Sequence, residues 1–151
     1  MTSSPWWLTA LFAPAVYFFA VKDRFPGFTK QPGLVLARNP ERFDSRLADA
    51  GDADAARAGV LVDVGFAALL GGAAGVVIAA AGGPCWVVLP AFVLDLIEGL
   101  ALWVIVGRTT HARGAVRTLF GIAVLKFLAY GASWVVLAYA VCHLLPSTSW
   151  F

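Results

Sequence analysis

Four ionisable side chains lie inside long apolar stretches of this chain, where a charged group is costly unless it is paired. They are Asp63, Asp95, Glu98 and Lys126. Within lipid, such groups face the protein interior and contact one another. Three carboxyl groups beside one ammonium cannot all be ionised cheaply, so at least one should be neutral or should reach water or a cation. A set of this kind can transfer protons or bind a cationic group, although similar clusters also serve as scaffold in helix bundles.

The spacing of three of these residues predicts that they meet. Asp95 and Glu98 are three positions apart and share one helical face. In two antiparallel helices joined by a short turn, residues equidistant from the centre of the turn lie level with each other. For the connection at 107–115, Lys126 falls between the level partners of Asp95 and Glu98. We therefore predict that the Lys126 ammonium pairs with both carboxylates.

Asp63 lies on the preceding helix, and its depth follows from the same construction. The turn Gly82-Gly83-Pro84 separates the two helices. Equidistance from that turn places Asp63 about 9 Å below Glu98 at the helical rise. We therefore expect Asp63 to be a separate polar station, nearer to one end of the bundle.

Two further polar residues follow Lys126 on its own helical face. Tyr130 and Ser133 are four and seven positions further along. Residues at this spacing share a face, so both hydroxyl groups can donate hydrogen bonds into a cavity beside the acids. The alternative is that each simply bonds to a neighbouring helix.

The elements that position these residues are apolar helices. Of the 151 residues, 60% are hydrophobic and only 13% are charged, well outside the composition of a soluble domain. Apart from Arg117 and the four ionisable residues named above, charged residues avoid four segments, at about 6–21, 58–82, 86–107 and 116–142. The last three can cross a hydrocarbon core of about 30 Å, and the first is slightly short. We predict an all-α, four-transmembrane-helix bundle that forms a single domain over residues 1–151.

The basic residues predict which way round such a bundle sits. Ten of the eleven Lys and Arg residues fall in the loop 22–57 and around the connection after the third helix. Cytoplasmic loops carry this excess, so both termini should face outward, with a group of tryptophans at the outer interface (Trp6, Trp7, Trp86, Trp150). A net charge of +2 without a basic cluster or a Gly-rich phosphate loop gives no reason to expect nucleic-acid binding.

The loop 22–57 contains signals for a helix of its own. Asn39-Pro40-Glu41 reads as an N-cap followed by proline and an acidic residue in the first turn. Phe43, Leu47 and Ala50 then form a thin apolar stripe. Gly51 ends this helix, and Asp52 can cap the next one. We predict a short amphipathic interfacial helix between the first two membrane helices, with a solvated connector as the alternative.

The remaining motifs suggest no cofactor and no metal site. Cys85 and Cys142 both fall at outer helix ends, and their spacing leaves open whether they are bonded. No C-x-x-C motif and no mid-membrane histidine pair is present. Gly71 and Gly75 form a G-x-x-x-G, which favours close packing within the bundle over a homodimer seam.

The run from Asn39-Pro40-Glu41-Arg42 through Asp63 to Leu94-Asp95-Leu96-Ile97-Glu98 resembles a group of small bacterial four-helix membrane proteins of uncharacterised function. The shared features are an N-terminal helix, a Pro-Glu-Arg segment, an Asp in helix two and an Asp-x-x-Glu in helix three. Gly99 departs from the Asn expected after this motif. The resemblance implies a multi-pass protein of a bacterial inner membrane, and it implies no particular activity.

Three functions are compatible with the sequence. In the first, Asp95 and Glu98 bind a lipid-like or small cationic ligand or act on it by acid–base chemistry of an isomerase or cyclase type, and Asp63, Lys126, Tyr130 and Ser133 complete the site. In the second, the chain is a non-catalytic accessory subunit whose buried charges specify assembly with a membrane-protein partner or with further copies of itself. The third is a proton- or cation-coupled carrier.

Overall fold

The computed structural model describes residues 7–144, and these residues form helices and no strand. Trp6 and Trp150, predicted at the outer interface, lie outside the described residues. A 3-10 turn over Cys85–Val88 precedes the fifth helix. The helices, in chain order, are α1 (Trp7–Val21), α2 (Pro26–Val35), α3 (Pro40–Asp49), α4 (Ala53–Ala80), α5 (Leu89–Val106) and α6 (Arg113–Leu144).

Three helical segments are long and apolar enough to cross a membrane. They are Ala53–Ala80, Cys85–Val106 and Arg113–Leu144, with 28, 22 and 32 residues. Helix α1 has 15 residues and spans about 22 Å, which is less than a hydrocarbon core. The predicted all-α class is therefore confirmed, together with three membrane-length helices.

Helix α4 is the centre of the molecule, because α1, α2, α5 and α6 all pack against it. We call the end that carries α2, α3 and the 107–112 connection the basic end, and the opposite end the Gly82 end. An apolar cluster lies at each end. The cluster at the basic end includes Leu34, Val35, Phe43, Leu102 and Leu119. The cluster at the Gly82 end comprises Trp7, Val77, Ile78, Leu137 and Ala140.

The turn between α4 and α5 is not symmetrical. Gly82 adopts φ +74°, a left-handed conformation that suits glycine. The Gly83 amide donates to the Ile78 carbonyl at 2.8 Å, and the Gly82 amide donates to the Ala79 carbonyl at 2.9 Å. This is the Schellman pattern of a helix C-terminus, in which the chain doubles back on the helix that it leaves.

The doubled-back turn shifts α5 towards the basic end. The residues just before α5 form a 3-10 turn, which rises about 2.0 Å per residue instead of 1.5 Å. As a result, Gly99 lies against Val60 and Val64, where an added Cβ would be 3.3 and 3.6 Å from their methyl groups. Equal spacing about the turn predicts residue 68 at that level instead. The vertical register taken from the sequence is therefore wrong for this helix pair.

Helix α3 begins and ends where its signals predict. The Asn39 side chain accepts from the Arg42 amide at 3.0 Å, and Asp52 caps α4 by accepting from the Ala55 amide at 2.7 Å. The apolar stripe of α3 is covered by the bundle, however, and the Phe43 side chain is fully buried. Phe43 packs on the ring of His111 with centroids 4.8 Å apart.

Polar contacts hold α3 on the rest of the basic end. His111 Nδ1 lies 2.5 Å from Asp44 Oδ1, and its Nε2 lies 3.2 Å from the Ile105 carbonyl oxygen. The Arg46 guanidinium donates to the Gly33 carbonyl of α2. Helix α3 thus fixes both α2 and the connection between α5 and α6.

Helix α2 is absent from the sequence-based prediction, which treats residues 22–38 as loop. Its sequence, PGFTKQPGLV, contains two prolines and two glycines and has little intrinsic helical preference. Tertiary packing decides its conformation. The backbone at Gly27 approaches α4 so closely that a Cβ there would overlap the Ala55 carbonyl, and a Cβ at Gly59 would overlap the α2 backbone.

The G-x-x-x-G motif takes no part in such close packing, and the two cysteines are not bonded to each other. Within residues 7–144, an added Cβ at Gly71 of the G-x-x-x-G motif would have no neighbouring atom within 4 Å, and one at Gly75 would meet a Val88 methyl group at 3.8 Å. Among the described residues, Gly27 and Gly59 instead mark a place where two helix backbones approach closely. Cys85 and Cys142 are both free and exposed.

Candidate ligand-binding site

Lys126 of α6 bridges the two acids of α5 in the middle of the bundle. Its Nζ lies 2.8 Å from Asp95 Oδ1 and 2.5 Å from Glu98 Oε1. All three residues are buried, and Glu98 is 0% exposed. The pairing predicted from their spacing is confirmed, because the α5–α6 connection places these residues at one level. One ammonium thus partly offsets two carboxylates in a region of low dielectric.

The two acids differ in how fully they are bonded. Asp95 uses both oxygens, because the Tyr130 hydroxyl donates to its Oδ2 at 2.8 Å. Glu98 uses one oxygen, and its buried Oε2 has no hydrogen-bond partner among the described residues. Asp95 is therefore held as a fixed counter-charge for Lys126. Glu98 keeps one acceptor available.

Asp63 belongs to the same cluster. One oxygen from each of the Asp63, Asp95 and Glu98 carboxylates lies within 4.8 Å of the others. The prediction of a separate station about 9 Å away is wrong. The asymmetric turn beside Gly82 brings α5 and α4 into a different register, so the three acids converge.

Gln31 of α2 completes the cluster, and sequence reasoning missed it. Its Nε2 donates to Asp63 Oδ2 at 2.8 Å, and its own Oε1 is buried without a partner among the described residues. The signal available was the spacing of Phe28, Gln31, Leu34 and Val35, which places them on one face of a helix. The prolines and glycines between them pointed to a loop instead.

Ser133 lies outside this cluster. Its hydroxyl has one proton to donate and lies 3.1 Å from the Val87 carbonyl oxygen and 3.0 Å from the Ala129 carbonyl oxygen. The Val87 carbonyl belongs to the 3-10 turn before α5, so Ser133 bonds to a neighbouring element rather than to a ligand site. Of the predicted site residues, the structure thus brings together Asp63, Asp95, Glu98, Lys126 and Tyr130.

The polar groups face a cleft of about 270 Å³ between α2, α4, α5 and α6. Half of its lining residues are polar and half are apolar, and three of the apolar ones are aromatic. The polar lining residues are Gln31, Asp63, Asp95, Glu98, Lys126 and Tyr130. The apolar lining residues are Pro32, Val35, Phe66, Leu70, Phe127 and Trp134.

Comparisons with protein-family models, with curated proteins and with solved structures found no match to this chain. Functional inference therefore rests on the chemistry of the cleft.

The cleft is suited to a group that donates hydrogen bonds or carries positive charge. Glu98 Oε2 and Gln31 Oε1 are both acceptors, and three carboxyl groups face one ammonium. A buried acceptor without a donor costs about 1–3 kcal/mol, so a donor at this position is favoured. Asp63, Asp95 and Glu98 are also spaced to hold a metal ion, but the Lys126 ammonium would compete with it for Asp95 and Glu98.

The Tyr130 hydroxyl is expected to stabilise the site through Asp95. Replacing Tyr130 by Phe leaves Asp95 Oδ2 without its donor, so the apparent free energy of unfolding should fall by about 1–3 kcal/mol. Thermal unfolding in detergent micelles measures the change. Tyr139→Phe is the matched control, because that residue lies on the same helix and is 74% exposed. Equal melting temperatures for the two variants would contradict the role of this hydrogen bond.

Proposed function

We propose that this chain is an integral membrane protein that binds a lipid-like ligand through a cationic or hydrogen-bond-donating group. The binding site is the cleft that contains Asp63, Asp95 and Glu98. Three aromatic residues of the lining, Phe66, Phe127 and Trp134, suit the ligand's hydrocarbon part. Aromatic ring faces also attract cations. A surplus of carboxyl groups selects against an anionic head group.

The observation that carries the proposal is a pair of acceptors that have no donor among the described residues. Glu98 Oε2 and Gln31 Oε1 are buried, and both side chains line the same cleft. Buried acceptors are normally bonded, so their occurrence in one cavity is a specific reason to expect a donor from outside the chain. In this role Glu98, Gln31 and Asp63 contact the ligand. Asp95 and Tyr130 hold Lys126 in place.

The proposed setting is a bacterial inner membrane with four spans and both termini outside. Support comes from the basic end, to which ten of the eleven Lys and Arg residues belong, as expected of a cytoplasmic face. Helix α1 would cross with local thinning of the bilayer, because 15 residues fall short of the hydrocarbon thickness. Helix α3 would lie at the cytoplasmic interface with its apolar stripe against the bundle.

A pair of amphiphiles with the same chain and opposite charge tests the proposal. Dodecylamine should raise the melting temperature of the purified protein, because a ligand that binds the native state stabilises it. Dodecanoate at the same mole fraction should not. Replacing Glu98 by Gln removes a charge-assisted hydrogen bond, so the affinity for dodecylamine should fall about tenfold to a hundredfold.

Two further variants make this test specific. Asp63→Asn should also weaken dodecylamine binding, while Glu41→Gln, an exposed acid-to-amide change on α3, should leave it unchanged. If dodecylamine stabilises the Glu98, Asp63 and Glu41 variants equally, the amine does not bind at this cleft and the proposal is wrong. If no amine stabilises the wild type, while loss of Lys126 unfolds it, the buried charges serve as scaffold and the proposal is wrong.

A further inference from the structure

We infer that the ligand reaches the cleft sideways from the lipid, through a groove between α1 and α6, and that it is a membrane-resident amphiphile with an amine head and a hydrocarbon tail. This inference rests on the proposed function. It chooses the amphiphile over a small water-soluble cation.

The route from the basic end is closed by packed apolar side chains. Helix α2 lies across the cleft, and its residues Leu34 and Val35 are 0% and 1% exposed. Behind them, Phe43 of α3 and Leu119 of α6 belong to the same apolar cluster. A hydrated cation would have to displace these side chains to reach Glu98. The polar residues of the cleft are thus covered towards the basic end.

The axial route from the Gly82 end is also filled. Trp7, Val77, Ile78, Leu137 and Ala140 form an apolar cluster between α1, α4 and α6 there. Its members Val77 and Ile78 are fully buried. A polar solute moving along the bundle axis from this end would cross this cluster before reaching Tyr130.

A sideways approach is offered by a groove that α1, packed on α4, leaves towards α6. The groove has a volume of about 530 Å³. Phe66, Leu70 and Trp134 line both the groove and the polar cleft, so the two cavities are adjacent and these side chains lie between them. From Phe66 to Ala74 the groove follows α4 for about 12 Å at the helical rise.

The groove wall has the chemistry of a hydrocarbon site. The residues that line the groove carry no charge, and two of them, Phe19 and Trp134, are 67% and 51% exposed. A hydrocarbon chain can lie here while its head group lies among Asp63, Asp95 and Glu98. Because the ligand's hydrocarbon chain leaves lipid for an equally apolar groove, it adds little to the binding affinity. The head group supplies most of the binding energy. The apolar groove therefore selects molecules that carry such a head group on a hydrocarbon chain.

A photoreactive long-chain amine tests this route in lipid nanodiscs. Dodecylamine with a diazirine at mid-chain should label peptides of α1, α4 and α6 that line the groove. Ala15 is exposed on α1 and lines the groove, so Ala15→Trp should fill the groove and abolish this labelling. Val16→Trp is the matched control: Val16 is 67% exposed, lies outside the groove lining, and its variant should be labelled like the wild type.

The outcomes separate failure of the route from failure of the site. Groove labelling that persists in Ala15→Trp, or that is no stronger than labelling at Leu100 on the exposed face of α5, overturns the sideways route. If dodecylamine still stabilises the wild type but not Glu98→Gln, the binding site stands while the route fails. Labelling that Glu98→Gln and Asp63→Asn leave unchanged counts against the binding site itself. In the wild type, excess unlabelled dodecylamine should abolish groove labelling, and labelling that resists it also overturns the inference.

Discussion

Replacing Lys126 by Met is expected to lower the apparent free energy of unfolding by about 3–5 kcal/mol, because the change leaves buried carboxylates without their counter-charge. The Lys126 ammonium contacts both Asp95 and Glu98 within 2.8 Å. Methionine nearly conserves the volume of the side chain, so lost packing contributes little. Chemical or thermal unfolding in detergent micelles measures the loss.

A control and a rescue distinguish this electrostatic effect from a general sensitivity of α6. Leu128→Met, two residues further along, changes a side chain that is 66% exposed, and its stability should equal that of the wild type. Adding Asp95→Asn and Glu98→Gln to the Lys126 variant removes the unbalanced charges, so much of the lost stability should return. If Lys126→Met unfolds like Leu128→Met, the ion pair does not stabilise the fold.

Replacing Phe43 by Ala is expected to lower the free energy of unfolding by a similar amount, about 3–5 kcal/mol, as for other fully buried aromatic residues. Phe43 is 0% exposed and packs on His111, so its loss opens a cavity between α3 and the α5–α6 connection. Because the Arg46 guanidinium of α3 donates to the Gly33 carbonyl, loosening α3 should loosen α2 as well. Hydrogen exchange should therefore become faster in both helices.

Ligand binding gives a second measurement on the Phe43→Ala variant. Gln31 is carried by α2, so dodecylamine should bind the Phe43 variant more weakly than the wild type. Phe12→Ala is the control, because Phe12 is 66% exposed on α1 and its removal should change neither exchange nor binding. Unchanged hydrogen exchange in α2 would show that α3 does not support the site.

The fold shows why a cluster of three acids can persist in an apolar bundle. Each acid accepts a hydrogen bond from a helix other than its own. Gln31 of α2 donates to Asp63 of α4, and α6 donates to both acids of α5 through Lys126 and Tyr130. Two of these donors depend on the α5–α6 hairpin. The third depends on the close approach of Gly27 and Gly59, where a side chain would separate α2 from α4.

The sequence by itself determined the helical class, the membrane-length helices and the Lys126 pairing. These follow from local quantities: the length of apolar runs, the three-residue spacing of Asp95 and Glu98, and a short connection whose centre sets their level with Lys126. The caps at Asn39 and Asp52 are equally local, because a side chain there needs only an amide three residues ahead.

Only the tertiary structure decided that Asp63 joins the other acids and that Gln31 faces it. The first depends on a Schellman turn at Gly82 that shifts α5 against α4, and turn asymmetry is invisible to counting along the chain. The second depends on α2, which has a poor helical sequence and forms because it buries Phe28, Leu34 and Val35 against its neighbours. Burial energy from distant residues outweighed local preference there, and no local pattern contains that energy.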